Sequence, residues 1–279
     1  MTDIPVIGAN GLNMPVLGFG TFELDQETVD NVLPGAIELG YRHIDTAQIY
    51  RNEAAVGRAV ANSGIDRSEF FIATKVWVDR FTTDDLIASV HGSLDRLQTD
   101  HIDLLLLHWP LFGGKGMNPT LEALMHARRE GLTRHIGISN FNILQTEQAV
   151  AFCGDGQLAT NQVEYHVNLG QDRLRRVLAR HNLVLTAYMP LGKARTVNDP
   201  VLWQIGEQYG KTAAQVALRW LVEQDRVAAI PGTSNPHHAA ANIDIFDFTL
   251  SESDQKKIAG LDKKRRISKP EGLSPAWDD

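Results

Sequence analysis

IDLLLLH, residues 102–108, is a predominantly apolar run that ends on a histidine. A strand with this sequence would be apolar on both faces, which is typical of a strand buried in a parallel sheet. A helical pattern precedes it at 83–98, where Thr83 is the predicted cap and acidic residues occupy the first turn, and another helical pattern follows at 120–131. Strands that alternate with helices in this way predict an α/β fold with a parallel sheet.

The same alternation continues along the chain. Strands are predicted at 16–22, 41–45, 70–75, 102–108, 134–139, 158–165, 183–190 and 227–232. Helices are predicted at 28–39, 52–64, 83–98, 120–131, 143–152, 172–182, 200–209, 213–224 and 237–244. Eight strand–helix units in 279 residues predict a closed (β/α)8 TIM barrel, preceded by a short hairpin around ANGLN (9–13) and followed by a C-terminal tail. Because no linker or low-complexity run divides the chain, residues 1–279 are predicted to form a single domain.

Composition narrows the class of protein. A net charge of −7 and an isoelectric point of about 5.8 argue against a general binder of nucleic acid or anionic membranes. The single cysteine, Cys153, allows no intrachain disulfide, which fits a reducing compartment. The first residues do not resemble a signal peptide, and the longest apolar run is too short to span a bilayer. We therefore predict a cytoplasmic protein.

Four side chains with acid–base chemistry follow the predicted strands at one end. Asp45 ends the second strand and Tyr50 lies in the loop after it, Lys75 ends the third strand, and His108 ends the fourth. Each of these residues, taken alone, would more often have a structural role than a catalytic one. Together they stand at consecutive strand ends, and catalytic groups of a (β/α)8 barrel lie at the carboxyl ends of its strands. The sequence therefore predicts an active site built from these four residues.

This set of groups suits proton delivery to a carbonyl oxygen. A free phenol has a pKa of about 10, and a nearby ammonium group lowers it. Tyr50 is the predicted general acid, Lys75 and Asp45 the pair that tunes it, and His108 the group that orients the substrate oxygen. No side chain in the set can supply a hydride to the carbonyl carbon, so a nicotinamide cofactor is predicted.

The remaining strand ends carry groups that suit such a cofactor and a small substrate. Ser139, Asn140 and Gln162 offer hydroxyl and amide groups to a carboxamide, and Tyr188 offers a ring for stacking. An apolar pocket wall is predicted from three aromatic side chains, Phe22, Trp77 and Trp109.

Three long motifs resemble the signatures of the aldo-keto reductases. They are GYRHIDTAQIYRNEAAVGRA (40–59), GLTRHIGISNFN (131–142) and IPGTSNPHHAAANIDIFDF (230–248). The resemblance covers nearly the whole chain and implies a (β/α)8 barrel that reduces aldehydes and ketones with NADPH. It maps a catalytic tetrad onto Asp45, Tyr50, Lys75 and His108. The short loop after Trp109 and the short tail resemble bacterial members that reduce diketo-gluconate, methylglyoxal and similar small carbonyl compounds.

The interpretation assigns cofactor contacts to twelve residues along the chain. These are Gly20, Thr21, Ser139, Asn140, Gln162, Tyr188, Leu191, Gly232, Thr233, Ser234, His238 and Asn242.

Departures from the third signature affect the predicted cofactor preference. The family commonly has a lysine where this chain has Gly232 and an arginine where it has His238, and both would bind the 2′-phosphate of NADPH. Gly232 has no side chain and an imidazole is mostly neutral above pH 7. NADP(H) is implied by the resemblance, but use of NAD(H) is expected from these two residues. Met189 also replaces the usual serine of this loop.

Two other functions remain open at the sequence level. Lys75 at a strand end could form a Schiff base in an aldolase, although a partner such as Asp45 would keep its amine protonated. The second function is that of a regulatory subunit, a non-catalytic barrel that binds a nicotinamide cofactor. No metal site is predicted, because Glu164 and His166 lack a third ligand nearby in sequence. The expected partner is a small carbonyl substrate, and the chain is predicted to be a monomer.

Overall fold

A computed structural model describes residues 4–277. Within that range, ten strands form a two-stranded antiparallel hairpin and a separate sheet of eight parallel strands. The hairpin consists of β1 (Val6–Ala9) and β2 (Leu12–Pro15). The parallel strands, in chain order and in sheet order, are β3 (Gly18–Gly20), β4 (His43–Asp45), β5 (Phe71–Val76), β6 (Ile102–Leu107), β7 (Thr133–Ser139), β8 (Leu158–Glu164), β9 (Val184–Tyr188) and β10 (Val227–Ala229).

The sheet closes on itself, which confirms the predicted barrel. Leu17 bridges to Ala229 in parallel, and the amide of Gly20 donates to the carbonyl of Pro231 at 3.0 Å. At this seam the carboxyl end of β3 lies against the segment that directly follows β10. A Cβ atom added to Gly232 would lie only 2.6 Å from the Gly20 carbonyl oxygen, so glycine at this position permits the approach.

Helices cover the outside of the barrel. Over the described residues they are α1 (Gln26–Leu39), α2 (Glu53–Ala61), α3 (Thr83–Leu97), α4 (Met117–Arg129), α5 (Ile143–Cys153), α6 (Asp172–Arg180), α7 (Pro200–Tyr209), α8 (Ala213–Val222), α9 (Pro236–Ile243) and α10 (Glu252–Ala259). Apolar residues on the inner faces of the helices pack with the outward-facing residues of the strands in one large core. The predicted helices are all present, with ends that differ by a few residues.

Two predictions about the helices were wrong. The N-cap of α3 is Thr82, not Thr83, since the Thr82 hydroxyl accepts the amide of Asp85. Helix α10 lies within the segment that we expected to be tail only. It begins after Ser251, whose hydroxyl accepts the amide of Asp254, so it has the ordinary start signal of a helix.

The hairpin covers the amino-terminal end of the barrel. Its turn uses Asn10 and Gly11, both with positive φ (50° and 79°), as two-residue hairpin turns require. Leu12 and Met14 pack with apolar side chains inside the barrel, in a second core cluster that includes Leu104. The opposite end, where the strands finish at their carboxyl termini, is left for the site.

Candidate active site

The four predicted catalytic residues come from neighbouring elements at the carboxyl end of the barrel. Asp45 is the last residue of β4, Lys75 lies near the end of β5, and His108 follows β6 directly. Tyr50 ends a short 3-10 turn, Gln48–Tyr50, in the loop after β4. Because β4, β5 and β6 are adjacent and parallel, these side chains meet at one edge of the sheet.

A buried ion pair lies at the bottom of the site. The Lys75 ammonium donates to Oδ1 of Asp45 at 2.5 Å and to the carbonyl of Thr46 at 2.8 Å. The second carboxylate oxygen of Asp45 accepts from Nε2 of Gln162 at 2.8 Å. Lys75 is 1% exposed and Asp45 is 2% exposed. Every atom of this pair that carries charge is therefore held by a partner.

Tyr50 lies between this ion pair and His108. The Lys75 ammonium is 5.1 Å from the centroid of the Tyr50 ring, and the His108 ring centroid is 5.6 Å from it. Phe22 packs on the Tyr50 ring at 5.2 Å, and Trp77 packs on His108 at 5.1 Å. Among residues 4–277 the Tyr50 hydroxyl has no hydrogen-bond partner, and Tyr50 lines the open cavity, so a ligand can reach that hydroxyl.

The protonation states differ in part from the sequence prediction. Burial, and then the negative charge of Asp45, raises the pKa of Tyr50 well above its usual value, so our expectation of a lowered pKa was wrong. The enclosed site disfavours a phenolate, and Asp45 offsets the positive charge of Lys75. The pKa of Lys75 moves in the opposite direction. Burial lowers it, and the negative charge of Asp45 opposes that shift. Burial and the Lys75 charge lower the pKa of His108 well below its usual value, which keeps the imidazole neutral.

A hydrogen-bonded row of polar groups continues from His108 towards β9. Asn140, in the left-handed conformation with φ 63°, donates from its side chain to the His108 carbonyl at 3.0 Å. The Tyr188 hydroxyl donates to the Asn140 side-chain oxygen at 2.7 Å. The Ser139 hydroxyl donates to the carbonyl of Gln162 at 2.8 Å. These bonds fix the orientation of the Tyr188 ring and of the polar groups beside it.

One cavity of about 1570 Å³ opens at this end of the barrel. The predicted site residues line it, except Thr21, Lys75 and Ser234. Thr21 is fully buried, and its hydroxyl donates to the Asp45 carbonyl at 3.0 Å and lies 3.3 Å from Oδ1 of Asn52, so it supports the loop and does not line the cavity. Ser234 is exposed outside the cavity. Lys75 is buried and does not line the cavity, and its ammonium lies 5.1 Å from the centroid of the Tyr50 ring.

Several residues that line the cavity were missed from the sequence. One group is the C-terminal segment, with Ile267, Ser268, Lys269, Pro270 and Leu273. Another group comes from the loop after β9, from α7 and from the turn between α7 and α8, and includes Val197, Trp203 and Lys211. No local pattern marks these residues, because they reach the cavity through contacts with segments far away in sequence.

The sequence of residues 16–263 matches the model of the Aldo/keto reductase family. The chain belongs to the aldo/keto reductase family. The methylglyoxal reductase DkgB of Salmonella typhimurium is 40% identical over 268 residues, which is 96% of this chain and 100% of that protein. An aldo-keto reductase of Mycobacterium marinum is 42% identical over 267 residues, which is 94% of this chain and 93% of that protein.

Solved structures show the same relationship. The crystal structure of a protein described as a 2,5-diketo-D-gluconic acid reductase B superimposes with a TM-score of 0.97 at 46% identity, covering 100% of this chain and 99% of that one. An aldo-keto reductase of the silkworm Bombyx mori gives a TM-score of 0.92 at 32% identity, covering 100% and 95%. The family membership and the barrel predicted from the sequence are therefore confirmed.

As a member of this family, the reductase is an NAD(P)H-dependent oxidoreductase that acts on carbonyl compounds. The cavity, at about 1570 Å³, exceeds the range of about 300–1000 Å³ usual for a single small ligand. Among residues 4–277, no helix is both long and apolar enough to cross a membrane.

Proposed function

We propose that the reductase converts small aldehydes, ketones or keto-sugars to alcohols, with Tyr50 as the general acid. The observation that carries this proposal is the free Tyr50 hydroxyl, which faces the cavity between neutral His108 and the buried Lys75–Asp45 pair. A raised pKa keeps Tyr50 protonated before the reaction, as a proton donor requires.

Each of the four residues has a separate task in this proposal. Tyr50 transfers its proton to the carbonyl oxygen, and the ammonium of Lys75, near its ring, stabilises the phenolate that is left. Asp45 holds Lys75 in place and keeps it charged. His108 is neutral and can donate a hydrogen bond that orients the substrate oxygen. A bound reduced nicotinamide supplies the hydride for the carbonyl carbon.

The row of polar groups beside Tyr188 is the proposed place of the nicotinamide. One N–H of the Gln162 side chain is bonded to Asp45, so its second N–H and its side-chain oxygen are available to a carboxamide. The Ser139 hydroxyl can still accept a hydrogen bond, and the Tyr188 ring is fixed by its bond to Asn140. Gly20 and Leu191 line the same cavity and complete this part of the proposed site.

The nucleotide end of the site supports use of NADH. Gly232, Thr233, His238 and Asn242 line the cavity there. The Thr233 hydroxyl accepts the amide of Asn235 at 3.0 Å and keeps its proton for a ribose oxygen. A phosphate is bound most strongly by cationic side chains, and Gly232 has no side chain. We propose that NADH is used well and that any preference for NADPH is weak.

The two lysines that could compensate for the missing basic residues are already paired. Lys193 bonds to Glu23 at 2.7 Å, across the loops after β9 and β3. Lys211 bonds to Asp244 at 2.9 Å and to Asp247 at 2.7 Å. Arg195 does not line the cavity. A 2′-phosphate would have to break one of these pairs to bind either of these two lysines.

The substrate end is lined by aromatic side chains, which supports small substrates. Phe22, Trp77 and Trp109 line the cavity around Tyr50 and His108. One similar protein is named for methylglyoxal and another for 2,5-diketo-D-gluconic acid, both of which are small carbonyl compounds. We propose the same range of substrates for this reductase.

The geometry gives no support to the two alternatives. An aldolase needs a reachable amine, but Lys75 is 1% exposed and lies outside the cavity lining. A regulatory barrel would not need a free phenol beside a buried ion pair.

Oxidation of NADH and NADPH by the purified protein, with and without a panel of carbonyl compounds, tests the proposal. No carbonyl-dependent oxidation, or borohydride trapping of substrate on Lys75, would refute it. Monomeric state, a single domain and cytoplasmic location stay predictions, and light scattering tests the first.

A further inference from the structure

The C-terminal segment is held against the cavity by a buried carboxylate. The two oxygens of Glu164 accept the backbone amides of Ile267 at 2.8 Å and Ser268 at 2.7 Å. Glu164 is 2% exposed, and Nε2 of His166 is 3.0 Å from its Oε1. Burial alone would raise the pKa of Glu164, but these hydrogen bonds lower it overall, so the carboxylate is ionised at neutral pH.

Further contacts place this segment over the loops after β7 and β8. The carbonyl of Asn168 accepts the amides of Lys263 and Arg265 at 3.1 and 3.0 Å. The Asn142 side chain donates to the carbonyl of Ala276 at 3.1 Å. The proposed nucleotide end is built from the loop after β10 and from α9 instead. The segment therefore borders a different part of the cavity from the one proposed for the 2′-phosphate.

Lys269 follows directly after the two amides that Glu164 holds. Among the described residues, three lysines line the main cavity, Lys193, Lys211 and Lys269, and the first two are paired with carboxylates. The Lys269 ammonium has no hydrogen bond or ion pair within residues 4–277. Lys264 and Arg266 line a smaller cavity next to it, to which Lys269 also contributes. Residues 263–273 contain five basic residues and one acidic residue, Glu271, so positive charge predominates on the segment.

The carboxylates that line the main cavity lie elsewhere. The exposed ones are Glu23 and Asp25, on the loop after β3, and Glu207, on α7. The whole chain carries a net charge of −7, so its overall field does not attract anions. A local cation is required if the cavity is to favour a negatively charged substrate.

Resting on the proposed carbonyl reduction, we propose that Lys269, held in place by Glu164, is a specificity-determining residue that favours carbonyl substrates carrying an anionic group. The carbonyl end of such a substrate meets Tyr50, and its carboxylate or phosphate meets the ammonium of Lys269. The attraction acts on binding of the substrate and does not touch the reacting atoms, so it changes KM and leaves kcat nearly unaltered.

Two aldehydes of the same chain length test this. Succinic semialdehyde carries a terminal carboxylate where butanal has a methyl group. In Lys269→Gln we expect kcat/KM for succinic semialdehyde to fall about three- to tenfold through KM, with butanal unchanged within about twofold. Lys269→Arg should keep the preference. Lys263→Gln removes the same charge from a lysine of the segment that does not line the cavity, and should change neither aldehyde.

Two further measurements distinguish an effect on anionic substrates from a general loss of binding. Dissociation constants of NADH and NADPH, from protein fluorescence, should be the same in Lys269→Gln and the wild type. Glu164→Gln should lower the preference for succinic semialdehyde as well, since it weakens the hold on the segment. An equal fall in kcat/KM for both aldehydes, or weaker cofactor binding, in Lys269→Gln would overturn the role of Lys269. The proposed function would still stand. Failure of the wild type to reduce any carbonyl would overturn the proposed function and this inference with it.

Discussion

The side-chain amide of Gln162 donates a hydrogen bond of 2.8 Å to the carboxylate of Asp45, from 117 positions away in the chain. Asp45 in turn binds the ammonium of Lys75 through its other oxygen. The bond joins the proposed nicotinamide site to the proposed proton donor. A change at Gln162 should therefore affect both cofactor binding and the chemical step.

Gln162→Met keeps the approximate shape of the side chain and removes this bond. A hydrogen bond to a charged group contributes about 1.5–3 kcal/mol, so we expect kcat to fall by roughly tenfold or more, with weaker NADH binding. Asn161→Leu is the control, because Asn161 lies next to it on β8 and donates to the Phe141 carbonyl instead. It should lose thermal stability and keep its kcat. Equal losses of kcat in both variants would show that Gln162 is only structural.

Tyr50→Phe removes the proposed proton donor and leaves the ring in place. Loss of general-acid catalysis should lower the rate of reduction about 10²–10⁴-fold, while cofactor binding is retained. Single-turnover kinetics with an unactivated aldehyde would observe the chemical step itself. Tyr209→Phe is the matched control, since the Tyr209 hydroxyl bonds to Asp254 outside the cavity. A Tyr50→Phe variant with more than about a third of the wild-type rate would remove Tyr50 from the mechanism.

The pH profile follows from the shifted pKa values of the proposed proton donor, Tyr50, and of His108, which orients the substrate. Tyr50 stays protonated below its raised pKa, and His108 stays neutral above its lowered one. Both residues are therefore in their active forms throughout the neutral range. We expect kcat/KM for a neutral aldehyde to be flat between about pH 6.5 and 8.5, between the ordinary pKa values of imidazole and phenol. A loss of activity with a midpoint inside that range would contradict these protonation states.

Substrate size should follow from the aromatic walls. The side chains of Phe22, Trp77 and Trp109 line the cavity around the proposed proton donor, and we expect them to admit methylglyoxal and short aldehydes and to exclude a ligand as large as a steroid. The reductase should reduce the small compounds and show little or no activity on ketosteroids. Comparison of kcat/KM for methylglyoxal and a ketosteroid tests this. Similar values for the two would contradict the proposed restriction to small substrates.

His238→Arg should raise the preference for NADPH. A new charge-assisted hydrogen bond to the 2′-phosphate contributes about 1.5–3 kcal/mol, or roughly ten- to a hundredfold in the ratio of kcat/KM for NADPH and NADH. His237→Arg is the control, since this neighbour does not line the cavity. Gly232→Lys is less informative, because its Cβ would lie 2.6 Å from the Gly20 carbonyl oxygen. A wild-type enzyme that already strongly prefers NADPH would contradict the proposal.

The sequence by itself determined the barrel and the neighbourhood of the site. Alternation of strands and helices is a local pattern, and parallel strands bring their carboxyl ends to one edge whatever the rest of the chain does. That is why Asp45, Tyr50, Lys75 and His108 could be placed together before the structure was known. Their catalytic roles remain proposals.

Only the tertiary structure decided which way each side chain faces and what surrounds it. Thr21 follows the strand residue Gly20 but turns into the protein to bond with Asn52, and burial reverses the expected pKa shift of Tyr50. Glu164 lies 103 residues before Ile267, whose amide it holds, and this contact brings Lys269 to the cavity. Such contacts depend on the packing of segments that are distant in sequence, and the degree of burial depends on all of them together. The periodic pattern of the sequence encodes neither these long-range contacts nor the degree of burial.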